Sequence, residues 1–358
     1  MRIVQIIDSL EVGGAERMSV NYANALSARI DFSGLVATRK EGNLKTQLLP
    51  KVSYLYLGRK KTIDIGAVFR LRDYCKKNKV EILQPHSSSY FIAVLVKLLY
   101  PKIHIVWHDH NGLSEFVDSE KSIPLKMASR FFKGIIVVNY QLKNWAIKAL
   151  HCRYVEYLPN FTNPETEQIP QTILHGTAGK RILCLANLRA QKNHFLLLKV
   201  AQQLKISHPD WTFHLVGKDF NDDYSKEITR QIIQNGLSQH VFVYGTKNDM
   251  GNIISQSDIS ILTSVSEGLP VALLEYGLYK KPVVVTRVGE MPMIINDGSN
   301  GSIVASEDAD SFYKALASLV SDAGLRQKFG EALYKTIIEN NSEEAIIGHY
   351  LEWLKKLS

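Results

Sequence analysis

The feature that most constrains the fold of this 358-residue chain is an alternation of short apolar runs with longer segments of helical periodicity. An apolar run of about four to eight residues is typical of a buried strand, and a helix after it brings the chain back to the same sheet. The alternation fills residues 2–150, stops, and begins again at Arg181. The sequence therefore predicts an α/β protein with two doubly wound parallel sheets.

The predicted elements follow one another in chain order in each half. In the first half, strands are predicted at 2–7, 35–37, 52–57, 82–84, 104–107 and 135–139, and helices at 15–28, 66–77, 90–99 and 141–150. In the second half, strands are predicted at 181–186, 211–216, 241–244, 259–262 and 283–285, and helices at 194–205, 224–235, 250–256, 271–280 and 342–356.

A polar segment with prolines and glycines, residues 160–179, interrupts the pattern and is interpreted as a linker. We place the first domain at 1–162 and the second at 163–341. In doubly wound sheets, ligands bind beyond the carboxyl ends of the strands. These ends are therefore expected to face each other across a central cleft.

The charge of the chain is unevenly distributed. Residues 1–162 carry 24 Lys/Arg against 13 Asp/Glu, a net charge of +11, whereas the remaining residues carry 19 against 22. A basic domain can face an anionic membrane surface, a phosphorylated acceptor or nucleic acid. The basic residues are not interleaved with aromatic ones in a recognisable nucleic-acid motif, so no nucleic-acid partner is predicted.

Cysteine usage and hydropathy indicate a cytoplasmic protein. Cys75, Cys152 and Cys184 have no metal or redox spacing and are expected to be reduced. The first residues lack the apolar stretch of a secretion signal. The longest apolar run, 91–100, is interrupted by Lys97 and is too short to span a bilayer. Any contact with the inner face of a membrane is thus expected to be peripheral.

Residues 266–275 carry the sharpest functional signal. Glu267 and Glu275 stand eight positions apart around the corner Gly268-Leu269-Pro270. Proline fits the first position of a helix, and the free N–H groups of residues 268–272 suit an anion. A solvated loop glutamate and an ordinary helix-edge glutamate would explain the same pair. The corner is suited to a ligand that carries both phosphate and sugar hydroxyls.

The chain resembles the retaining, nucleotide-sugar-dependent glycosyltransferases of family 4, which have the two-domain GT-B fold. The resemblance is carried by residues 266–270, Glu275, 282–285, 288–289 and 297–301. It covers nearly the whole chain and is weaker in the first half. It implies that Glu267 binds hydroxyls of the donor sugar and Glu275 those of the ribose. It also implies that the helix at 342–358 packs back on the first domain.

Two glycines, Gly13 and Gly14, follow the first strand and open the first helix. They allow the backbone to approach a ligand closely, although a structural turn explains them equally well. The spacing Gly-x-Gly-x-x-Gly of dinucleotide-binding proteins is absent, which disfavours an oxidoreductase. The resemblance implies that this loop faces the donor phosphates, and it makes Glu16 a candidate on the acceptor side.

Three histidines stand at the ends of predicted strands: His86, His108 and His110. A His-x-His pair can bind a metal, but no third ligand follows at helical spacing, so no metal is predicted. A histidine in this position is commonly a surface or capping residue. The resemblance implies a histidine near the transferred sugar. We favour His110 as this catalytic candidate, with His108 and His86 as acceptor-side candidates.

The loop after strand 181–186 supplies cations. Lys192 can pair with a diphosphate whose charge grows as the sugar departs, and it matches a lysine of the resembled family. Asn187 stands where that family usually has an arginine, and Arg189 is the candidate substitute. The resemblance also implies that Gly217 and Gly245 let loops pass close to the nucleotide.

The motifs and the resemblance together thus imply a retaining, metal-independent glycosyltransferase that needs no cofactor. The nucleotide sugar, with UDP favoured, is a co-substrate, and the acceptor is a glycan or lipid-linked saccharide of a surface polysaccharide. Glu267, His110 and Lys192 are the catalytic candidates. Two alternatives remain: a nucleotide-sugar epimerase of the same fold, and a non-catalytic basic binding protein.

Overall fold

The chain forms two compact units in the computed structural model, which describes residues 1–110, 123–161 and 170–357. Unit 1 comprises Met1–Phe161 and Glu343–Ser358, and unit 2 comprises Thr162–Ser342. The predicted linker falls at this junction. Its described parts, residues 160–161 and 170–179, contain neither helix nor strand.

Unit 1 is built on a seven-stranded parallel sheet with the order β3-β2-β1-β4-β5-β6-β7. The strands are β1 (Arg2–Ser9), β2 (Phe32–Lys40), β3 (Ser53–Tyr56), β4 (Ile82–Pro85), β5 (His104–Asp109), β6 (Phe132–Val137) and β7 (Val155–Tyr157). The sheet contains the six predicted strands, and β7 is an addition. The direction of strand order reverses between β1 and β4, which is where such sheets bind ligands.

The helices of unit 1 cover both faces of this sheet. They are α1 (Gly14–Leu26), α2 (Ile65–Lys77), α3 (Tyr90–Leu99), α4 (Ile123–Ala128) and α5 (Tyr140–Ala149). Alternate residues of one strand enter different hydrophobic clusters: Val36 packs in one, and Leu35 and Ala37 in another. This alternation is the two-fold periodicity of a strand buried on both sides.

Unit 2 repeats the architecture with a six-stranded parallel sheet of order β10-β9-β8-β11-β12-β13. The strands are β8 (Arg181–Leu185), β9 (Thr212–Val216), β10 (Val241–Val243), β11 (Ile259–Leu262), β12 (Val283–Thr286) and β13 (Ser302–Val304). The helices are α6 (His194–Ser207), α7 (Asp223–Gln234), α8 (Met250–Ser255), α9 (Val271–Leu278), α10 (Met291–Ile294), α11 (Ala309–Ser321) and α12 (Ala323–Asn341). The strand order reverses between β8 and β11.

The last helix, α13 (Glu343–Leu357), belongs to unit 1. Arg29 forms ion pairs with Glu343 at 2.5 Å and with Glu344 at 2.7 Å. Gly134 in β6 leaves room for the helix, because a Cβ there would lie 2.7 Å from the ring of Trp353. The helix is thereby held on the unit that begins the chain.

The three cysteines are free thiols. Burial raises the pKa of Cys75 and of Cys184 to about 12, so both are protonated core residues. In the part of the chain that the structure describes, no helix has the length and hydropathy needed to cross a bilayer.

Candidate active site

The corner before α9 differs in detail from the prediction. The helix begins at Val271, and Pro270 precedes it in an extended conformation with ψ 126°. Pro270 is therefore the residue before the first helical position, not the first position itself. The helix ends at Leu278 and does not reach Lys280, because Lys280 has φ +55° in the left-handed region. Residues 268 and 269 lie in a bend, and Pro270 joins this bend to the helix.

Glu267 is the centre of a polar cluster at the switch point of unit 2. Its carboxylate forms an ion pair with Lys192, and Ser264 Oγ donates a hydrogen bond to the same oxygen at 2.6 Å. The side chains of Glu267 and Lys192 are only 8% and 18% exposed. The cation and the carboxylate predicted from separate motifs therefore form one site.

Backbone contacts hold the two loops of this cluster together. Lys192 lies in the loop after β8, and Glu267 lies in the loop after β11, the neighbouring strand. The N–H of Val265 donates to the carbonyl of Gln191 at 2.9 Å, and Thr263 Oγ1 donates to the carbonyl of Lys192 at 2.9 Å. The ion pair is thus positioned by the sheet and does not depend on flexible side chains alone.

Gly289, in the turn after β12, packs closely against the backbone of the Glu267 loop. Its φ is +55°, and a Cβ there would lie 2.2 Å from the carbonyl oxygen of Glu267 and 2.4 Å from that of Gly268. The next residue, Glu290, donates its N–H to the carbonyl of Gly268 at 3.0 Å. Only glycine combines this backbone conformation with so close an approach.

Replacing Gly289 with alanine is expected to displace the Glu267 loop. The added methyl group meets two carbonyl oxygens in a left-handed conformation, which should cost about 2 kcal/mol of stability. Donor affinity should fall with it. Chemical denaturation and calorimetric titration of the nucleotide measure the two effects. Gly298→Ala is the matched control, because Gly298 also has positive φ (+73°) but no heavy atom near its Cβ position. An equal loss of affinity in both variants would contradict this role.

Glu275 lies within α9, and its side chain is largely buried. The hydroxyl oxygen of the following residue, Tyr276, accepts a hydrogen bond from the N–H of Leu185 in β8 at 2.6 Å. This contact fixes the rotation of α9 relative to β8. The structure therefore places both predicted glutamates on one loop–helix corner, and their binding roles stay predictions.

Asn187, Gly217 and Gly245 connect the loops that follow β8, β9 and β10. The side-chain oxygen of Asn187 accepts from the N–H of Lys218 at 2.8 Å. The N–H of Gly217 donates to the carbonyl of Gly245 at 3.1 Å, and a Cβ at Gly217 would lie 2.2 Å from the carbonyl of Ala186. These residues have a structural part in shaping the strand ends, beside the predicted donor contacts.

Arg189 is exposed on the loop after β8. Its guanidinium lies 4.4 Å from the ring centroid of Phe220, and Lys218 Nζ lies 5.2 Å from the same ring. Stacking on an aromatic face holds an arginine in place without neutralising its charge. Two cations are thus held on one ring near the loops that Asn187 connects.

The loop between β1 and α1 contains the predicted Gly-Gly pair. Gly13 precedes the helix in extended backbone, and α1 begins at Gly14. A Cβ at Gly13 would lie 2.3 Å from a carboxylate oxygen of Glu16, whereas one at Gly14 would meet no heavy atom within 4 Å. Glu16 therefore folds back over Gly13, and Gly14 leaves open space at the helix start.

The three candidate histidines form one cluster in which His86 and His108 are buried and His110 is half-buried, which corrects their interpretation as surface or capping residues. His86 Nδ1 lies 2.7 Å from His110 Nε2, and the ring centroids of His108 and His110 are 3.9 Å apart. Burial lowers the pKa of His110 to about 3 and holds those of His86 and His108 well below their usual range. All three rings are neutral at physiological pH.

His86 supplies a third imidazole beside His108 and His110, although it does not follow them at helical spacing. It pairs with His108 of β5 through an isolated β-bridge directly after the end of β4. Three further polar residues around the cluster were not predicted: Gln5, Gln84 and Tyr350. The two glutamines could have been noticed, because each is a buried amide inside an otherwise apolar strand.

Two parallel α/β units in one chain, each with polar side chains at its switch point, are the organisation of GT-B glycosyltransferases. Residues 165–336 match the model of glycosyl transferases group 1, and residues 12–166 match that of glycosyltransferase family 4. The chain therefore belongs to the group 1, family 4 type of glycosyltransferases, as the motifs of the sequence indicated.

Known proteins of similar sequence and structure fit this assignment. An Escherichia coli UDP-Gal:alpha-D-GlcNAc-diphosphoundecaprenol alpha-1,3-galactosyltransferase is 24% identical over 72% of this chain and 71% of its own length. A Staphylococcus aureus poly(ribitol-phosphate) alpha-N-acetylglucosaminyltransferase is 23% identical over 70% and 50%. The crystal structure of Anabaena HepE with UDP and glucose has a TM-score of 0.82 at 18% identity, covering 99% of this chain and 100% of HepE.

Proposed function

We propose that this glycosyltransferase moves a sugar from a nucleotide diphosphate sugar to a hydroxyl of a lipid-linked or saccharide acceptor. The nucleotide of the donor is UDP in this proposal. The observation that supports it most directly is the Lys192–Glu267 pair at the switch point of unit 2. A sugar diphosphate needs a cation for its phosphates and acceptors for its hydroxyls. This pair supplies one of each in a site that is largely shielded from water.

Lys192 would act on the leaving group. As the bond between the anomeric carbon and the phosphate oxygen breaks, negative charge grows on the diphosphate, and a fixed ammonium stabilises that charge. The N–H groups at the start of α9 would add to the effect, since a helix N-terminus favours an anion. In this proposal the protein needs neither a metal nor a cofactor, because its own groups supply the positive charge.

Glu267 would hold the donor sugar. Its carboxylate accepts hydrogen bonds, and two donors, Lys192 and Ser264, already orient it. Sugar hydroxyls can share or replace these donors, and charge-assisted hydrogen bonds of this type are short and strong. Glu275 on the same corner would bind the ribose hydroxyls, as the family resemblance implies.

Retention of anomeric configuration follows a same-face route in this proposal. The bond from the anomeric carbon to the diphosphate breaks, and the acceptor oxygen forms its bond to that carbon from the same side. The acceptor hydroxyl loses its proton to an oxygen of the departing diphosphate. No covalent sugar–enzyme intermediate is involved, so the protein contributes position and charge.

The acceptor is proposed from chemistry and from relatives. Residues 1–162 carry a net charge of +11, which suits a phosphorylated acceptor or an anionic bilayer surface. The relatives named above act on a diphosphoundecaprenol-linked sugar and on poly(ribitol-phosphate). We therefore assign the protein to surface-polysaccharide synthesis, with peripheral attachment at the cytoplasmic face of the membrane.

A donor screen tests this function. A ligand at about a hundred times its Kd stabilises the native state by about 2.7 kcal/mol. If UDP is the nucleotide of the donor, UDP-sugars should therefore raise the melting temperature more than GDP-, ADP- or TDP-sugars at the same concentration. The stabilising donor should then be consumed only with an acceptor. The rate should be unchanged in EDTA, and NMR of the product should show the donor's anomeric configuration.

Conversion of the donor without an acceptor would favour the epimerase instead. Salt-sensitive nucleic-acid binding without donor affinity would favour the binding protein.

A further inference from the structure

A chain of buried polar side chains crosses unit 1 and ends at His110. We call it the amide relay; its members are Tyr350 of α13, Gln84 of β4, Gln5 of β1, and the three histidines of the cluster. The hydroxyl of Tyr350 donates to Gln84 Oε1 at 2.5 Å, and Gln5 Nε2 donates to the same oxygen at 3.3 Å. Gln84 Nε2 lies 3.2 Å from His108 Nδ1.

The hydrogen bonds of the amide relay all have one donor-to-acceptor direction. Because Gln5 gives its Nε2 to Gln84, it turns its Oε1 to His86 Nε2, which lies 2.8 Å away and must carry a proton. Neutral His86 then accepts at Nδ1 from the Nε2–H of His110 at 2.7 Å. His110 Nδ1 is left without a proton and, among the described residues, without a hydrogen-bond partner although it is buried.

Tyr350 disfavours the opposite orientation of the two glutamine amides, which would reverse every donor and acceptor of the relay. Turning Gln84 alone would place two NH₂ groups face to face, and turning Gln5 alone would place two carbonyl oxygens face to face, so both amides would have to turn together. The amide nitrogen of Gln84 would then face the Tyr350 hydroxyl, whose proton would lose its acceptor inside the protein. A buried polar hydrogen without an acceptor is unfavourable, because the hydrogen bond that it made with water in the unfolded chain is not replaced. The helix that closes the chain thereby selects the orientation of the amides.

The same proton arrangement disfavours a three-histidine metal site. Because His86 Nε2 and His108 Nδ1 face the two glutamines, a shared metal would need lone pairs on His86 Nδ1, His108 Nε2 and one nitrogen of His110. The three rings are close enough for this, since one ligand atom from each lies within 4.8 Å of the others. In the observed direction Gln84 donates to His108 Nδ1, so His108 Nε2 carries a proton. In the opposite direction His86 Nδ1 carries one. Neutral rings in either direction cannot offer all three lone pairs.

The geometry points to Tyr350, Gln84 and Gln5 as positioning residues that hold His110 in the Nε2–H tautomer. His110 thereby presents Nδ1 as an acceptor for a hydroxyl group of a sugar substrate. The role of the substrate rests on the proposed function, whereas the tautomer does not. His110 in this form orients a hydroxyl that donates to it, and it has no proton at Nδ1 to give to a leaving group.

Imidazole ¹⁵N NMR of the full chain without substrates tests the tautomer directly. In the wild type, His110 Nε2 should show the shift of a protonated nitrogen and Nδ1 that of an unprotonated one. Tyr350→Phe removes only the selecting hydroxyl, and Gln5→Met removes the acceptor of His86. Both should convert the His110 signals to a mixture of tautomers, and kcat should fall about two- to fivefold in Tyr350→Phe, because only molecules with the Nε2–H tautomer of His110 stay competent.

Tyr22→Phe is the matched control. The Tyr22 ring packs on those of Tyr350 and His108 at centroid distances of 5.3 Å, but its hydroxyl has no hydrogen-bond partner among the described residues. This variant should keep the His110 tautomer and the rate of the wild type. Melting temperatures of all variants report whether each one is folded, and Tyr350→Phe decides the matter if Gln5→Met is not.

Three results would overturn the inference. The first is a wild-type His110 with its proton on Nδ1, and the second is a Tyr350→Phe variant with unchanged His110 shifts. The third is stoichiometric Zn²⁺ binding that moves the signals of all three histidines. Failure of every nucleotide sugar to bind, with the tautomer as expected, would overturn the assignment of a sugar hydroxyl and leave the positioning role supported.

Discussion

Glu267→Gln is expected to lower kcat/KM for glycosyl transfer about a hundred- to a thousandfold while the protein stays folded. The amide keeps the shape of the side chain and can still accept from Ser264, but it has no charge to offer to Lys192 or to the sugar hydroxyls. Initial rates at varied donor concentration measure the effect, and the melting temperature shows that the fold is retained.

The exposed pair Lys280–Glu331 provides the matched control for this variant. It is another Lys–Glu contact of unit 2, at 3.0 Å, but both side chains are about half exposed. An exposed ion pair contributes little to stability, so Glu331→Gln should leave both the rate and the melting temperature nearly unchanged. A Glu267→Gln enzyme that turns over at the rate of Glu331→Gln would contradict the assignment of the site.

Lys192→Met tests the role of the cation separately from that of the Glu267 carboxylate. Removing the cation leaves a largely buried carboxylate without its charged partner, which should destabilise unit 2 more than Glu267→Gln does. The double variant should regain stability, because neither charge then remains, but it should regain no activity. Recovery of transfer in the double variant would show that neither group acts on the substrate.

Local signals in the sequence were sufficient for most of the secondary structure. Apolar runs marked the strands because both sheets are parallel and buried on two faces. Helices α11 and α12 were missed although their capping residues were present: Asp308 accepts from the N–H of Ser311, and Asp322 from that of Leu325. These two helices could therefore have been predicted from aspartate caps before periodic segments.

The contacts of the site could not be predicted from local signals. Lys192 and Glu267 are 75 residues apart and meet only because β8 and β11 are neighbours in the sheet. His86 joins His108 for the same reason, through the pairing of β4 with β5. A motif shows which residue types are available, whereas strand order decides which of them lie together.

Acidification from about pH 7.5 to 5.5 is expected to cost unit 2 about 3 kcal/mol of stability through two buried histidines. His214 is held between the hydroxyls of Thr212 and Tyr244, each at 2.9 Å, and burial lowers its pKa to about 3. His194, buried at the start of α6, has a pKa lowered to about 4 by burial and by the charge of Lys192.

The sign follows from proton uptake. An unfolded histidine has a pKa near 6.5, so between this value and the lowered folded value the unfolded chain binds the extra proton. Stability is therefore complete above about pH 7 and falls as the pH drops through 6.5 towards 4 and 3. Each histidine contributes about 1.4 kcal/mol to the loss over these two pH units.

Urea unfolding followed by circular dichroism at the two pH values measures the loss. The double variant His194→Gln/His214→Gln removes both titrating rings, so it should be less stable at the higher pH but lose about 3 kcal/mol less than the wild type on acidification. The carboxylates Glu227 and Asp249 titrate near pH 2 in the folded protein and contribute little slope in this window. An unchanged pH dependence in the double variant would show that these histidines are not the buried neutral groups that the structure describes.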